Sequence, residues 1–555
     1  MKQPALTEGL RRLPAADKLL LRILFGAALL ALILGVLAGA GTAATRGGFV
    51  EPGPLSGYRM MTAHGVNIFF YWLYFAQAGL LLVLSAVYTV PGGHIAWRPL
   101  AWSGLATMIA GFVSSAYAVA AGLPLLYDAP PELAGTPSPA VAAFYLGYLL
   151  LAVGLFCIAA SAVATVLKPR FDHRIASWPV VSFAAIGWAG LLMVSSIAAL
   201  NAFLPAARWA FGLAPMPSEY SVGWHILFHN MHYLPLMATV IVWYVLVQTV
   251  VGVKFIFGSH LSKIAFSLYL IFVPPTSLYH MFLEPNLAEA VRVIGSLLSL
   301  FISVPTVTVF LVIVASLEVH ARAHGAKGLF GWIGMLPWRN PAMAAMGMAV
   351  VNLALGGTFS FVLIQEKLAP LLSDTFFVPG YFHFLTVGTV TLTFLGALCY
   401  VLPELTGRAL WRPGLIAALP YIITAGLLIF GTAGIIAGYS GVPRRVLDVS
   451  YNAAAPVLWT ALMAGIGIGG LIMAAGLLTY LFALLWTMWP APAGETARKA
   501  LPAVDWGGVT PAATRAWVGP LSVLLLVGAM AVFTALAFEI LQSLPLEAGG
   551  AAGGH

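Results

Sequence analysis

Residues 60–90 read MMTAHGVNIFFYWLYFAQAGLLLVLSAVYTV and contain no Asp, Glu, Lys or Arg. An α-helix needs about 20 consecutive apolar residues to cross the hydrocarbon core of a bilayer, and this stretch is longer. Strands of a membrane β-barrel are shorter and alternate polar with apolar residues, which this stretch does not do. Residues 60–90 therefore predict a helix that lies inside a membrane.

Similar apolar runs recur along almost the whole chain of 555 residues, which is 61% hydrophobic and only 8% charged. Soluble domains have about 25% charged residues, so a soluble core is excluded. The sequence predicts an all-α, polytopic membrane protein with about thirteen transmembrane helices, forming a single domain over 1–555. The predicted spans are 19–41, 60–90, 100–122, 139–167, 178–204, 222–253, 262–283, 288–316, 342–364, 376–403, 414–436, 455–487 and 516–543.

The basic residues indicate how the chain is oriented. A net charge of +8 would suit a nucleic acid, but membrane topology explains it better, and we expect lipid and no nucleic acid as a partner. With the N-terminus in the cytoplasm, most of the 26 Lys and Arg residues fall inside, as the positive-inside rule requires. This predicts an inner (cytoplasmic) membrane protein with its N-terminus inside and its C-terminus outside. The basic residues outside are Arg46, Arg59, Arg208, Arg292, Lys367, Arg444 and Arg445.

Four histidines fall at one predicted depth, in the outer third of the bilayer. His64, His229 and His383 lie early in spans 2, 6 and 10, which start outside, and His280 lies near the end of span 7. A single intramembrane histidine is as often a hydrogen-bonded core residue as a ligand, but ionisable groups in a membrane are costly and usually functional. Four at one depth predict a metal or heme site.

Neutral imidazole binds heme iron or copper, and two imidazoles from facing helices hold a low-spin, electron-carrying heme b. The propionates of such a heme need cationic partners at the outer edge. Arg444 and Arg445, in the outer loop after span 11, stand at the right height for bidentate pairing. The alternative is that both are solvated loop arginines.

Several stretches resemble subunit I of the heme-copper oxidase superfamily, and its B-type branch most closely. They occur in the family's order from about residue 20 to 540, and a thirteen-helix subunit also agrees with the predicted spans. The stretches are LSGYRMMTAHGVNIFFYWLYFAQ (55–77), HNMHY (229–233), SLYHMFLEP (277–285), ISVPTVTVFLVIVASLE (302–318), GLFGWIGMLPWRNPA (328–342), SDTFFVPGYFHF (373–384), LPELTG (402–407) and GVPRR (441–445).

The resemblance implies a role for each residue that matches the family pattern. His64 and His383 match the axial ligands of the low-spin heme, and the two arginines above match its propionate-binding pair. His229 and His280 match copper ligands. Tyr233 matches the catalytic tyrosine that such oxidases cross-link to the first copper ligand and use as a proton and electron donor.

Two positions of the dioxygen-reducing centre depart from the pattern. Met281 stands where the family has a third copper-binding histidine, and Tyr381 stands where it has the histidine that holds the high-spin heme. A thioether suits reduced copper and a phenolate is an axial ligand in catalase, so both are chemically able to bind metal. The other interpretation is that the second heme site is empty and both residues only pack. His232 is an extra imidazole near this centre.

The resemblance also implies a polar proton path from the cytoplasm along spans 6 and 8, but this path has fewer polar residues here, because Val240, Val309 and Val312 stand where polar residues are expected. Tyr244, Ser303, Thr306 and Thr308 remain as candidates. Cys157 and Cys399 have no paired spacing, which excludes a two-copper thiolate centre and a covalently attached heme. Electrons must therefore come from another polypeptide, a subunit II-like or cytochrome donor on the outer face.

Three functions follow from these residues. The first is the catalytic subunit of a cytochrome c oxidase-like terminal oxidase, with a low-spin heme b, a second high-spin heme and one copper ion, acting on dioxygen or another diatomic molecule. The second is nitric oxide reduction, although the carboxylate expected on span 6 is replaced by Tyr233. The third is a non-catalytic electron-transfer subunit that keeps only the low-spin heme. A transporter is disfavoured, because no set of midplane carboxylates accompanies the histidines.

Overall fold

A computed structural model describes residues 6–217, 220–253, 258–274, 288–301, 303–365, 368–446 and 455–494, with the single residues 501, 528 and 532. Within this part of the chain the protein is helical, and strand pairing is limited to two isolated bridges, Thr375 with Pro443 and Arg408 with Ala493. The predicted all-α class is confirmed.

Twelve long helices follow one another along the described chain. Short helices at Leu6–Arg12, Pro131–Ala134, Glu289–Phe301, Gly331–Gly334 and Ala369–Leu372 lie between or before them. The long helices are α1 (Ala15–Arg46), α2 (Leu55–Thr89), α3 (Arg98–Ala120), α4 (Pro139–Phe171), α5 (Val180–Ala210), α6 (Tyr220–Leu246), α7 (Gly258–Phe272), α8 (Ser303–Ala323), α9 (Pro341–Leu363), α10 (Phe377–Thr406), α11 (Pro413–Tyr439) and α12 (Val457–Met488).

Eleven of these helices, all except α7, are long and apolar enough to cross a membrane. Each overlaps one of the predicted spans, and span 288–316 contains both the short helix Glu289–Phe301 and the first part of α8. The described part of α7 is shorter, because the second half of span 262–283 lies outside the described residues. The last predicted span, 516–543, lies almost entirely outside them. The multi-pass membrane architecture is thus confirmed, while the total of thirteen spans stays a prediction.

Helices α2, α6 and α10 are the most buried and form the centre of the bundle. Buried indole groups tie them together: the Nε1 of Trp72 donates to Oγ1 of Thr391 over 3.0 Å, and that of Trp243 donates to Oγ1 of Thr393 over 2.8 Å. Buried indole N–H groups need such acceptors, and in hydrocarbon these interhelical bonds stabilise packing by about 0.6–2 kcal/mol each. Three of the four predicted histidines, His64, His229 and His383, lie on these central helices, whereas His280 lies outside the described residues.

Ion pairs join chain segments at the end of the bundle that the topology predicts to be cytoplasmic. Buried Asp17 of α1 pairs with Arg98 of α3 over 2.5 Å, and Glu404 of α10 pairs with Arg11 over 2.8 Å. Each of these residues belongs to a segment predicted to reach the same membrane face. Helices α1 and α3 therefore begin at the end of the bundle where α10 ends, which agrees with the alternating directions predicted for these three helices.

Candidate functional site

His64 of α2 and His383 of α10 face each other across the centre of the bundle. Their ring centroids are 6.3 Å apart and their planes differ by 6°. Bonds from imidazole nitrogen to a metal are about 2.0–2.1 Å long, so two imidazoles on opposite sides of one ion have ring centres roughly 6 Å apart. The rings are too far apart to touch each other, and the separation fits one iron between them.

Hydrogen bonds orient both imidazoles. Nδ1 of His64 donates to the carbonyl oxygen of Gly35 over 2.8 Å, and Nδ1 of His383 donates to that of Pro379 over 2.8 Å. A carbonyl only accepts, so each Nδ1 carries the ring proton and each Nε2 keeps its lone pair. Metal-binding histidines are usually held in this way by a second partner.

The backbone of both helices changes directly after the histidines. A π-helical stretch, Val66–Trp72, follows His64 in α2, and another, Phe384–Thr391, follows His383 in α10. π-Helical turns inside α-helices are rare and occur frequently at functional sites. The repetition of this feature next to both residues supports a shared role for them.

Two glycines of α1 make room for the His64 ring. A Cβ atom on Gly39 would lie 2.6 Å from Nδ1 of His64, and Gly35 supplies the carbonyl described above. The two form a G-x-x-x-G pattern, which lets helices approach closely in a membrane. The pattern in GVLAG (35–39) is a sequence signal for a close helix approach at this point of α1, and our sequence analysis missed it.

A cavity of about 1130 Å³ lies between the central helices and contains both histidines in its wall. Cavities for drug-sized ligands measure about 300–1,000 Å³, so this one has room for a large planar cofactor. Its wall is mainly apolar, as a heme macrocycle requires. The polar lining residues include Arg46, His64, Asp128, His232, Tyr233, Ser303, Thr306, Asp374, Tyr381, His383, Arg444 and Arg445.

The two predicted arginines lie at one end of this cavity and are not simply solvated. Arg444 pairs with Asp374 over 3.3 Å, and Arg445 pairs with Asp128. Burial, followed by the charge of Arg445, lowers the pKa of Arg444. For Arg445 burial is again the largest single effect and lowers the pKa, but the combined contributions of Asp128, Tyr127 and Asp374 outweigh it, so the pKa is raised.

Nε of Arg444 and Oδ1 of Asp128 are buried polar atoms at this end of the cavity, and neither has a hydrogen-bond partner among the described residues. An unpaired buried donor or acceptor is costly and calls for a ligand or water. An anionic group at the end of a cofactor would satisfy the arginine. Arg46, at the end of α1, is a third cation at this edge, and its Nη2 donates to the carbonyl of Val446 over 2.8 Å.

Tyr381 lies two residues before His383 and also lines the cavity. Its ring is only 7% exposed and packs in an apolar cluster that includes Leu372 and Phe377. His232 lies in the same wall, with its ring centroid 4.3 Å from that of Phe69 and 4.8 Å from that of Phe382. Among the described residues, no group of three His, Cys, Asp or Glu residues is placed to hold a metal ion.

The side chains of the predicted copper ligands lie outside the described part of the chain. His229 lies on α6, but its side chain is outside the described part of the chain, and so are His280 and Met281 altogether. Tyr233 lies one turn after His229 and lines the cavity. These residues stay predictions.

Hydroxyl groups connect Tyr233 to neighbouring helices. Its hydroxyl lies 3.3 Å from Oγ1 of Thr306, which lies 2.9 Å from the hydroxyl of Tyr269. A second hydrogen bond joins α6 to α7, where the hydroxyl of Tyr244 donates to Oγ of Ser262 over 2.8 Å. Thr306 and Tyr244 were predicted from the sequence, whereas Tyr269 and Ser262 were missed because they lie on α7, a helix not expected to contribute. Val240, Val309 and Val312 are also buried.

The fold and this site define a class: a polytopic helical membrane protein with a paired-histidine site in a large intramembrane cavity. Residues 20–472 match the family model for cytochrome c and quinol oxidase polypeptide I, and the chain belongs to this family. It is a subunit I-like oxidoreductase of the heme-copper oxidase superfamily. Proteins of the family bind heme and copper, work with a subunit II in the membrane and use oxygen.

Individual relatives agree with this assignment. The chain is 29% identical over 446 residues to cytochrome c oxidase subunit 1 of Thermus thermophilus, covering 77% of this chain and 75% of that protein. A segment of 114 residues, 20% of this chain, is 31% identical to 19% of cytochrome c oxidase polypeptide 1 of Halobacterium salinarum. A heme-copper terminal oxidase dimer solved by cryo-EM has the same fold, with a TM-score of 0.78 and 21% identity over 94% of this chain and 92% of that one.

Proposed function

We propose that the protein is the heme-binding catalytic subunit of a cytochrome c oxidase-like terminal oxidase. In this proposal, electrons pass through a low-spin heme b, held by His64 and His383, to a heme-copper centre that reduces dioxygen. The protein would lie in the inner (cytoplasmic) membrane with its N-terminus inside and its C-terminus outside, and would receive electrons from a subunit II-like or cytochrome partner on the outer face.

The observation that carries the proposal is the geometry of the histidine pair. Two imidazoles on different helices are 6.3 Å apart with parallel rings, and both Nδ1 atoms are already bonded to carbonyls. When bound there, a bis-imidazole heme supplies one-electron transfer without an open coordination position. Arg444 and Arg445 would hold the propionates, because guanidinium groups bind carboxylates bidentately.

The second centre would use Tyr233, Tyr381, His229, His280 and Met281. Tyr233 would hold a proton at its phenolic oxygen, next to the hydroxyl of Thr306, and so would link the centre to α8. Tyr381 would serve as the axial ligand of a second, high-spin heme. The two histidines and the methionine would bind one copper ion through nitrogen and soft sulfur ligands.

One specific observation favours a second candidate, the electron-transfer subunit. Tyr381 packs in an apolar cluster, as it would if its only role were to fill space. Metal analysis of the purified full-length protein separates the two functions. Two hemes and one copper per chain are expected for the oxidase, while one heme and no copper would make the protein an electron-transfer subunit.

Gly39→Ala should lower the affinity for heme by about tenfold, because a methyl group 2.6 Å from Nδ1 of His64 forces the ring away from its position. Overpacking of this kind costs about 1–3 kcal/mol. Heme titration of the purified variant, followed at the Soret band, measures the change. Gly26→Ala is the matched control, since Gly26 lies on the same helix with no atom within 4 Å of the new methyl group. Equal affinities of the two variants would contradict the role given to Gly39.

The isolated chain should oxidise soluble cytochrome c only slowly. The two cysteines have no paired spacing for a copper-thiolate entry site, so a partner must deliver the electrons. Stopped-flow oxidation of reduced cytochrome c by the isolated chain and by the complete complex measures the difference, which we expect to exceed about tenfold. Equal rates would show that this chain accepts electrons directly.

A further inference from the structure

Asp128 is a buried carboxylate that our sequence analysis did not single out. It lies in the loop between α3 and α4, just before the short helix Pro131–Ala134, and its side chain is only 7% exposed. Its Oδ2 accepts a hydrogen bond from Nη2 of Arg445. Asp128 lines the cavity, and its Oδ1 is buried without a hydrogen-bond partner among the described residues.

The charges at this edge of the cavity differ strongly in exposure. The cations are Arg46, Arg444 and Arg445, and the carboxylates are Asp128 and Asp374. Asp374 is 73% exposed, so water and salt screen its charge. Of these two carboxylates, buried Asp128 is therefore the one whose charge acts on the cavity with little screening by water and salt.

The contact with Asp128 also fixes the position of Arg445. The backbone of Arg445 has a φ of 64°, a left-handed conformation that is uncommon for residues other than glycine. Such strained conformations persist only where surrounding contacts hold them. The ion pair to Asp128, 317 residues away in sequence, is a contact of this kind. It holds one part of the guanidinium and leaves its other N–H groups available to a ligand.

We infer that Asp128 is a positioning residue of the low-spin heme site. Its carboxylate holds Arg445 in place and lowers the reduction potential of the heme. The inference rests on the proposed function. The oxidised heme carries one more positive charge than the reduced heme, and a nearby buried anion stabilises the more positive state. The carboxylate of Asp128 thus favours oxidised heme, and it offsets part of the opposite effect of the arginines.

Asp128→Asn tests this inference in the full-length protein loaded with heme. At a potential where the heme of the wild type is half reduced, the ratio of reduced to oxidised heme should rise about tenfold, the size expected when one buried charge is removed at an effective dielectric of about 20. Spectroelectrochemical titration of the low-spin band measures the ratio. Glu132→Gln is the matched control, because it removes the same charge from an exposed residue of the same loop. It should change the ratio by less than about twofold.

The inference would be overturned if Asp128→Asn changed the ratio of reduced to oxidised heme by no more than Glu132→Gln does. If Asp128→Asn does not retain heme, Asp128→Glu decides, since it keeps the charge and the ability to bind Arg445. Retained heme with a ratio within about twofold of the wild type would support the inference, and lost heme or a tenfold shift would overturn it. A wild type without a low-spin heme band would end the proposed function and this inference together, whereas a normal band with an unshifted Asp128→Asn would end this inference alone.

Discussion

Replacing His64 or His383 with Ala should abolish the sharp low-spin band of the reduced protein completely. Each imidazole supplies one of two axial bonds, so its loss leaves the iron with an open position and converts it to a high-spin form. The hydrogen bond from Nδ1 to the carbonyl of Gly35 or Pro379 is lost together with the ring that it orients. Reduced-minus-oxidised absorption spectra of the purified variants measure the effect.

His94→Ala is the matched control, because His94 is exposed in the loop between α2 and α3. Its spectrum should equal that of the wild type. Circular dichroism of each variant shows whether the bundle has folded. A folded His64→Ala or His383→Ala protein with an unchanged low-spin band would refute the assignment of the axial ligands.

The second large effect concerns Tyr381. If its phenolate binds a high-spin heme, the oxidised protein should show a ferric tyrosinate charge-transfer absorption, because an anionic oxygen donor mixes strongly with ferric iron. Tyr381→Phe should remove this absorption entirely and leave the low-spin band intact. Tyr421→Phe is the control, since Tyr421 is 40% exposed on α11 and should leave both signals unchanged.

Restoring the family residue extends this test. Tyr381→His should raise the affinity of the reduced protein for carbon monoxide, because imidazole holds ferrous iron better than phenolate does. Met281→His tests the copper ligand in the same way. If both residues line one centre, the double variant should restore more dioxygen reduction than the sum of the single changes. A protein that contains no second heme in any of these forms would contradict the ligand role of Tyr381.

The membrane architecture was predictable because hydropathy is a local property. A run of apolar residues meets the same hydrocarbon wherever it lies, and no tertiary contact is needed to satisfy its backbone within a helix. Eleven long helices therefore overlap predicted spans. The depth of His64 and His383 follows from the same argument, since position along a helix sets depth.

The partners of those histidines were not predictable in the same way. The acceptor of His64 is Gly35 on α1, and the space for its ring depends on Gly39. The G-x-x-x-G pattern indicates a close approach but does not say which helix approaches. The π-helical turns after both histidines also leave no pattern in composition, because they depend on how α2 and α10 pack.

By itself, the sequence determined that this chain is a helical membrane protein, where its helices lie, and that His64 and His383 share one depth. Only the tertiary structure decided that their rings face each other at 6.3 Å, that one cavity joins them to Arg444 and Arg445, and that Asp128 pairs with Arg445. The physical reason is that the depth of a residue follows from its distance along one helix. A contact instead depends on which helices are neighbours and how each is rotated. Side-chain packing over the whole bundle sets both the neighbours and the rotation.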